Sequence, residues 1–439
     1  MQLYAVRSER HWGIGDFTDL RLILEHWAAQ DADIIGINPV HAMFPYNPEH
    51  ASPYSPSSRL FLNVFYLDVE AVGDFHECEE ARAILRTPEF QIRLEGLRAS
   101  ELVDYAGVAA LKLPLLEMLF EHFCIHHVLP ESERAREFRA FQSREGDDLY
   151  QHALFEALQE HFHRQDPAVW GWPVWPEPYR NPQSSEVQQF AENHLGRIEF
   201  FTYLQWQADL QLAGVGLRSL ELGLGIGLYL DLAISVDGGG AESWANQALY
   251  ASGVSIGAPP ELNNQLGQDW GLPPFLPARL RETAYAAFIR VLRHNMRHAG
   301  ALRLDHVMGL MRQYWIPAGC TAAEGAYVQF PFDDLLGILA LESQRNQCLV
   351  IGEDLGTVPE EVTAALPQRG ILSHRLLILE KEHGGNFIAP ENYPAQALTA
   401  VTTHDLPTLP GYWAGRDIMQ RSDLQLFSSG DRILNHLPD

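Results

Sequence analysis

The 439-residue sequence predicts an α/β fold, a (β/α)8 TIM barrel with a helical insertion subdomain, in which seven of the eight barrel strands can be found. Three observations predict it. Short apolar or β-branched runs alternate with longer amphipathic stretches, the pattern of βα units around a buried parallel sheet. Three of those runs end in a carboxylic acid, at Asp305, Glu353 and Asp405. Two connections, 38–59 and 233–277, are far longer than ordinary βα loops, and barrel enzymes build their sites on long loops at strand carboxyl ends.

In chain order, the predicted strands are 3–6, 33–37, 226–231, 301–305, 348–353, 375–379 and 398–403, each a short apolar run bounded by polar or turn residues. The predicted helices between them, 17–30, 200–213, 280–298, 333–345 and 359–366, each carry an apolar stripe. The last opens with Pro359, as helix starts prefer. Alternation breaks in the polar segment after the second strand, where 111–122, 133–144 and 149–163 are helical in period. The expected division is therefore 1–73 and 200–439 as catalytic barrel, with 74–199 as a mainly helical insertion. The run Gly223-Leu-Gly-Ile-Gly lies before and within a strand rather than at a strand-to-helix turn, so it does not read as a dinucleotide site.

Composition narrows the partners. A formal net charge of −26 opposes binding to phosphate backbones and to anionic membrane surfaces. No apolar run long enough to span a bilayer is present, and the first residues show no basic segment leading into an apolar one, so the expected location is the cytoplasm. Cys78, Cys124, Cys320 and Cys348 lack metal-ligand spacing, so no metal site is expected. Neither do His122, His126, His127, His161 and His163 with Cys124 match a standard site, and they read as surface histidines. The balance suits a neutral substrate, and the 10 Trp, 15 Tyr and 21 Phe suit one with apolar faces.

A barrel exposes all strand carboxyl ends to one pocket, so acids remote in sequence can serve one reaction. Hydrolysis or transfer of a glycoside with retention needs a carboxylate nucleophile and a second, protonated carboxyl group. Arg303 lies two residues before Asp305, so strand alternation puts both on one side, where a guanidinium holds a carboxylate ionised. Asp305 is thus the expected nucleophile. Glu353 follows Leu349-Val-Ile-Gly, an apolar setting that favours the protonated form and the part of acid/base. Asp405, beside His404, would stabilise an oxocarbenium-like transition state. Each acid could instead cap a helix or enter a structural ion pair. Asp354 reads as a cap of the turn before Pro359, and Asp231 as a residue that orders a loop or touches sugar.

The blocks Arg10-His-Trp-Gly-Ile-Gly-Asp-Phe-Thr-Asp-Leu, Gly36-Ile-Asn-Pro-Val-His-Ala, Ser52-Pro-Tyr-Ser-Pro-Ser-Ser-Arg, Gly257-Ala-Pro-Pro, Gly267-Gln-Asp-Trp-Gly-Leu-Pro-Pro, Arg303-Leu-Asp-His-Val-Met-Gly, Gly352-Glu-Asp-Leu-Gly-Thr-Val-Pro and Thr403-His-Asp-Leu-Pro-Thr stand in that order. Together they resemble the 4-α-glucanotransferase (amylomaltase) family, glycoside hydrolase family 77. The resemblance implies transfer of α-1,4-glucan segments between maltooligosaccharides through a covalent glucosyl-enzyme intermediate, with no cofactor. It implies the same roles for Asp305, Glu353 and Asp405. Substrate contacts would come from Arg303, His404, Tyr54, Ser52, Trp270, Gln268, Asp231 and Glu261. Glu261 stands where the family pattern leads one to expect aspartate, a longer reach with the same charge.

The resemblance also makes the loop 233–277 a flap over the acceptor side that helps sugar compete with water. The family's chains continue past the Thr403-His-Asp block, and the expectation is a chain truncated before its last βα unit. An α-glucan hydrolase on the same acids and an inactive glucan-binding fragment are the rival readings. Trp170, Trp172 and Trp175 read as pinning the insertion to the barrel, with a sugar platform as the alternative.

Overall fold

The computed structural model describes residues 1–261, 264–382 and 385–424. The chain forms two compact units, Met1–Leu349 and Val350–Asp439. In chain order the strands that begin in the first unit are β1 (Ile34–Gly36), β2 (His41–Ala42), β3 (Ser58–Leu62), β4 (Gly227–Leu232), β5 (Val254–Ala258), β6 (Gln268–Leu272), β7 (Ala301–Leu304), β8 (Arg312–Pro317), β9 (Ala326–Gln329) and β10 (Leu349–Gly352). Those of the second are β11 (Leu372–Leu376) and β12 (Ala397–Ala400).

In the first unit β1, β4 and β7 pair in parallel, with Ile34 opposite Gly227 and Asp231 opposite Arg303. β7 is buried along its whole length and β4 nearly so, as a parallel strand covered on both faces must be. Gly300 enters β7 with no room for a side chain, because a Cβ there would lie 1.6 Å from the carbonyl oxygen of Ile226. Its neighbour in space is β4, which this close approach seats against β7.

The expected strand at 3–6 is instead a 3-10 turn, Leu3–Ala5. Its backbone finds partners outside any ladder. The Leu3 N–H donates to Asn38 Oδ1 at 2.7 Å, and the Ala5 and Val6 N–H groups donate back to Gln2 and Leu3. The helix Phe17–Ala28 starts as its sequence directs: Asp16 accepts the Asp19 N–H and Asp19 accepts the Asp16 N–H, a capping box. The helix expected at 280–298 is split into Pro277–Glu282 and Ala286–Met296, because Ala284 and Tyr285 turn to φ 49° and 59°. The helix expected at 200–213 runs further in both directions, Leu195–Glu221, and packs on the long helical segment Glu133–Gln165, which bends where Gly146 takes φ 62°.

Sequence periodicity gave no warning of the antiparallel sheet in the order β6-β5-β8-β9. It occupies the long connections after β4 and β7. Arg312-Gln-Tyr-Trp-Ile-Pro, rich in aromatic and β-branched residues, carried the signal for β8.

In the second unit β10, β11 and β12 pair in parallel. The strand expected at 375–379 lies three residues earlier, at Leu372–Leu376. The Leu377 and Ile378 N–H groups still donate to the Ala400 and Val401 carbonyls, and the chain then turns, with Leu379 and Glu380 donating back to the Leu376 carbonyl. The helix Glu360–Gln368 has Pro359 as its N-cap residue rather than inside the first turn. None of the described helices is long and apolar enough to cross a membrane.

Candidate active site

β7 delivers the expected nucleophile. The Asp305 N–H continues the ladder by donating to the Leu232 carbonyl at 3.1 Å, so Arg303 and Asp305 keep strand alternation and share a side. The guanidinium Nη1 of Arg303 stands 2.8 Å from Asp305 Oδ1. The same nitrogen donates to Asp231 Oδ1 at 2.7 Å, across the β4–β7 register. Asp231 Oδ2 in turn accepts the Tyr54 hydroxyl at 2.6 Å. Burial, reinforced by the Asp231 charge, pushes the Tyr54 pKa well above the ordinary phenol value, so Tyr54 is a fixed donor. Tyr54, Asp231, Arg303 and Asp305 thus form one chain of contacts, with Asp231 and Arg303 both buried. Both Asp231 oxygens are held by this chain, one of them by Tyr54 from the loop 38–59.

His306 ends the strand by entering the left-handed region at φ 49° and ψ 60°, which starts the 3-10 turn Val307–Leu310. Burial holds its imidazole down to about 4, so it is neutral at physiological pH. The Trp270 ring stands edge-on to it, with centroids 5.3 Å apart, and the Trp270 indole N–H donates to Gln268 Oε1 at 2.7 Å. Gln268 and Trp270 both lie on β6, the edge of the antiparallel sheet. Glu261 is exposed, and its backbone pairs both ways with Asn264 at 2.9 and 3.0 Å. Ser52 is exposed and its carbonyl accepts the Ser55 N–H. A cavity of about 60 Å³ touches Asp305 and His306 among Leu304, Val307, Leu310 and Phe330.

In the second unit Glu353, at the end of β10, is 8% exposed, as its apolar run implies, and its Oε1 accepts the Leu355 N–H at 2.7 Å. Asp354 does not cap the turn before Pro359. Its Oδ1 accepts the His374 N–H at 2.8 Å, and Arg375 approaches its Oδ2 at 3.6 Å, so it ties β11 to the end of β10. His404 and Asp405 stand beyond β12, out of strand geometry, with His404 Nε2 3.2 Å from Asp405 Oδ1 and the Asp405 side chain 73% exposed.

One device in the first unit was not read from sequence. Arg59 closes the Ser52-to-Arg59 block, and its Nη2 donates to Glu242 Oε1 at 2.8 Å and to the Tyr250 hydroxyl at 3.2 Å. Its Nη1 donates to the Ile234 carbonyl at 2.9 Å, and Tyr250 donates to the same Glu242 oxygen at 2.7 Å. Burial would raise the Glu242 pKa, but the Arg59 charge and its hydrogen bonds outweigh it and hold the carboxyl below its ordinary value. The start of the loop 233–277 is anchored this way. The buried basic end of a quoted motif was the available signal.

Among the described residues no three His, Cys, Asp or Glu side chains are grouped to hold a metal ion. His122 and His126 stack on each other at 4.2 Å, and His127 faces Ser132 and Glu77. Trp175 is fully buried, donates to Gln159 Oε1 within the insertion and meets the Trp244 ring at 5.8 Å, and Trp172 donates to Ser243 Oγ at 3.1 Å, so each reaches residues outside the insertion. Trp170 is 45% exposed.

Comparison with known proteins adds three findings. The profile of the 4-alpha-glucanotransferase family matches residues 1–434. A 4-alpha-glucanotransferase of Haemophilus influenzae is 41% identical over 95% of this chain and 60% of its own length, and one of Mycobacterium bovis is 38% identical over 98% and 59%. The crystal structure of amylomaltase from Corynebacterium glutamicum is 35% identical with a TM-score of 0.85, covering 99% of this chain and 58% of that one. This likeness bears out the α/β TIM-barrel fold class. The chain spans about three fifths of the length of these relatives.

Proposed function

Because the chain belongs to the 4-alpha-glucanotransferase family, we propose that it transfers α-1,4-glucan segments between maltooligosaccharides in the cytoplasm, with retention of configuration. The observation that carries this reading is the Arg303–Asp305 contact of 2.8 Å at the end of β7. A guanidinium at hydrogen-bond distance favours the ionised carboxylate, the form that attack on an anomeric carbon requires.

The first step forms the bond from Asp305 to that carbon and breaks its bond to the glycosidic oxygen. The leaving oxygen takes its proton from Glu353, to which we assign the acid/base role. In the second step Glu353 as base takes the proton of an acceptor sugar's 4-hydroxyl, whose oxygen displaces Asp305. Asp405 with His404 would stabilise the positive charge that develops on the ring. Trp270 and Tyr54 would offer aromatic faces to glucose rings, and Gln268, Ser52 and Glu261 would offer polar contacts to hydroxyl groups.

The test is incubation of the purified 439-residue chain with maltotriose beside an Asp305→Asn control, with a circular-dichroism melt of both. A ladder of longer sugars with glucose, absent from the control, is the expected result. Glucose and maltose alone would mean hydrolysis instead, and a folded chain that leaves maltotriose intact would mean a non-catalytic role.

A further inference from the structure

Trp172 and Trp175 are bonded into the fold, and Trp170 beside them is 45% exposed. Trp170 is seated and only partly covered. A Cβ on Gly239 would lie 2.3 Å from its Cζ3, so the indole rests directly on the Gly239 backbone. A Cβ on Gly171 would likewise meet the Gly239 carbonyl oxygen at 2.7 Å, and the Trp172 N–H donates to that oxygen at 3.4 Å. Two side-chain-free positions let the segments touch, and the contact fixes the ring in place. Its remaining surface stays exposed, which a packing role does not require.

Polar groups stand beside it. Asp237 Oδ1 would lie 3.2 Å from the same Gly239 Cβ and accepts the Gly239 N–H at 2.6 Å. Asp237 Oδ2 is held by His50 Nε2 at 2.9 Å and by Ser55 Oγ at 3.2 Å. The imidazole is 39% exposed and the carboxylate 15%. Ser55 directly follows Tyr54, and Asp237 lies in the connection that β4 opens after Asp231, so the patch continues the loops that carry the site.

We propose that Trp170 is a further α-glucan subsite, taking one glucose unit of a long chain on its exposed face with Asp237 and His50 as polar rim. A pyranose presents an apolar C–H face and an equatorial girdle of hydroxyls, and a fixed indole bordered by a carboxylate and an imidazole matches both. The subsite rests on the glucan reading above and extends it to chain length: it distinguishes long donors from maltotriose.

The experiment compares the full chain with Trp170→Ala and Trp170→Phe. Trp170→Ala should weaken maltoheptaose binding by titration calorimetry about tenfold and lower the ratio of kcat/KM on maltoheptaose to that on maltotriose to the same degree, with Trp170→Phe recovering most of the loss. Because an alanine could loosen the Gly239 contact, a second measurement uses the unaltered chain. Oxidation of Trp170 by N-bromosuccinimide, read by mass spectrometry, should be slowed by maltoheptaose while the exposed Trp27 reacts at an unchanged rate. Equal oxidation of Trp170 with and without maltoheptaose would overturn the subsite, as would an unchanged affinity in Trp170→Ala. A ladder from maltotriose combined with no protection sinks the subsite alone. Protection without any ladder sinks the transferase reading and leaves the subsite standing.

Discussion

The Arg303 guanidinium lies 2.8 Å from Asp305 Oδ1, and the nitrogen that makes this contact also reaches Asp231 Oδ1 at 2.7 Å. One guanidinium nitrogen therefore holds two carboxylates. Asp231 is buried and fully engaged, while Asp305 sits at the strand end, where the chain turns at His306.

Arg303→Lys keeps the charge and withdraws the guanidinium nitrogen that reaches both acids. By analogy with removal of one oriented donor from other sites, kcat/KM on maltotriose should fall about 10²- to 10³-fold, which steady-state kinetics would read. An unaltered rate would remove Arg303 from the proposed mechanism.

Tyr54→Phe deletes the 2.6 Å donor to Asp231 and leaves the ring. A hydrogen bond to a buried charged group is worth about 1.5–3 kcal/mol, and the urea midpoint should fall accordingly. Affinity for maltooligosaccharide should fall less than in Tyr54→Ala, because the aromatic face is retained.

Arg59→Ala should destabilise the fold by about 3–5 kcal/mol, since it strands the Glu242 carboxylate in the interior. The pair's side chains are 5% and 4% exposed. An apolar double replacement, Arg59→Met with Glu242→Leu, should be less destabilising than the single change. Equal unfolding midpoints for the single variant and the unaltered chain would show that this anchor contributes nothing.

The buried histidines should make the fold lose stability below pH 6.5, in opposition to the buried Asp16 and Glu156 carboxyls, which burial pushes up. His41 Nε2 accepts the Ala233 N–H at 3.2 Å and must be neutral to do so, and burial, aided by the Arg59 charge, holds its pKa at about 3 against an ordinary 6.5. Between those values the unfolded chain binds a proton that the folded chain does not, so stability rises with pH across the window and is lost as pH falls through it. His152 and His306, pushed by burial to about 3 and about 4, act in the same direction. The slope contributed by one such group is at most about 1.4 kcal/mol per pH unit. Urea midpoints from pH 7 to 4.5 should show the decline, and His41→Asn, which retains an acceptor, should flatten it.

Much of the site's first unit was legible because it is local. Period-2 spacing alone puts Arg303 and Asp305 on one side of β7, and the structure returns that contact. Where the expectations missed, an apolar run was read without its backbone partners. The apolar run predicts a strand at Leu3, yet its N–H goes to the Asn38 side chain. The run after Leu376 predicts a strand to 379, and Leu377 and Ile378 do bond to the β12 side before Leu379 and Glu380 fold back on Leu376. Apolar content reports burial, and both turns and strands can be buried.

The sequence by itself determined the alternation of buried strands and amphipathic helices, the acids that end three of the runs, and the motif blocks that resemble one family. These are properties of neighbours along the chain, governed by side-chain period and residue type. Only the tertiary structure decided that Asp231 faces Arg303, that Tyr54 reaches Asp231, that Arg59 closes on Glu242, and that Trp170 rests on Gly239. Each of these pairs is far apart in sequence, and its contact is set by strand register and close packing, which no local pattern encodes.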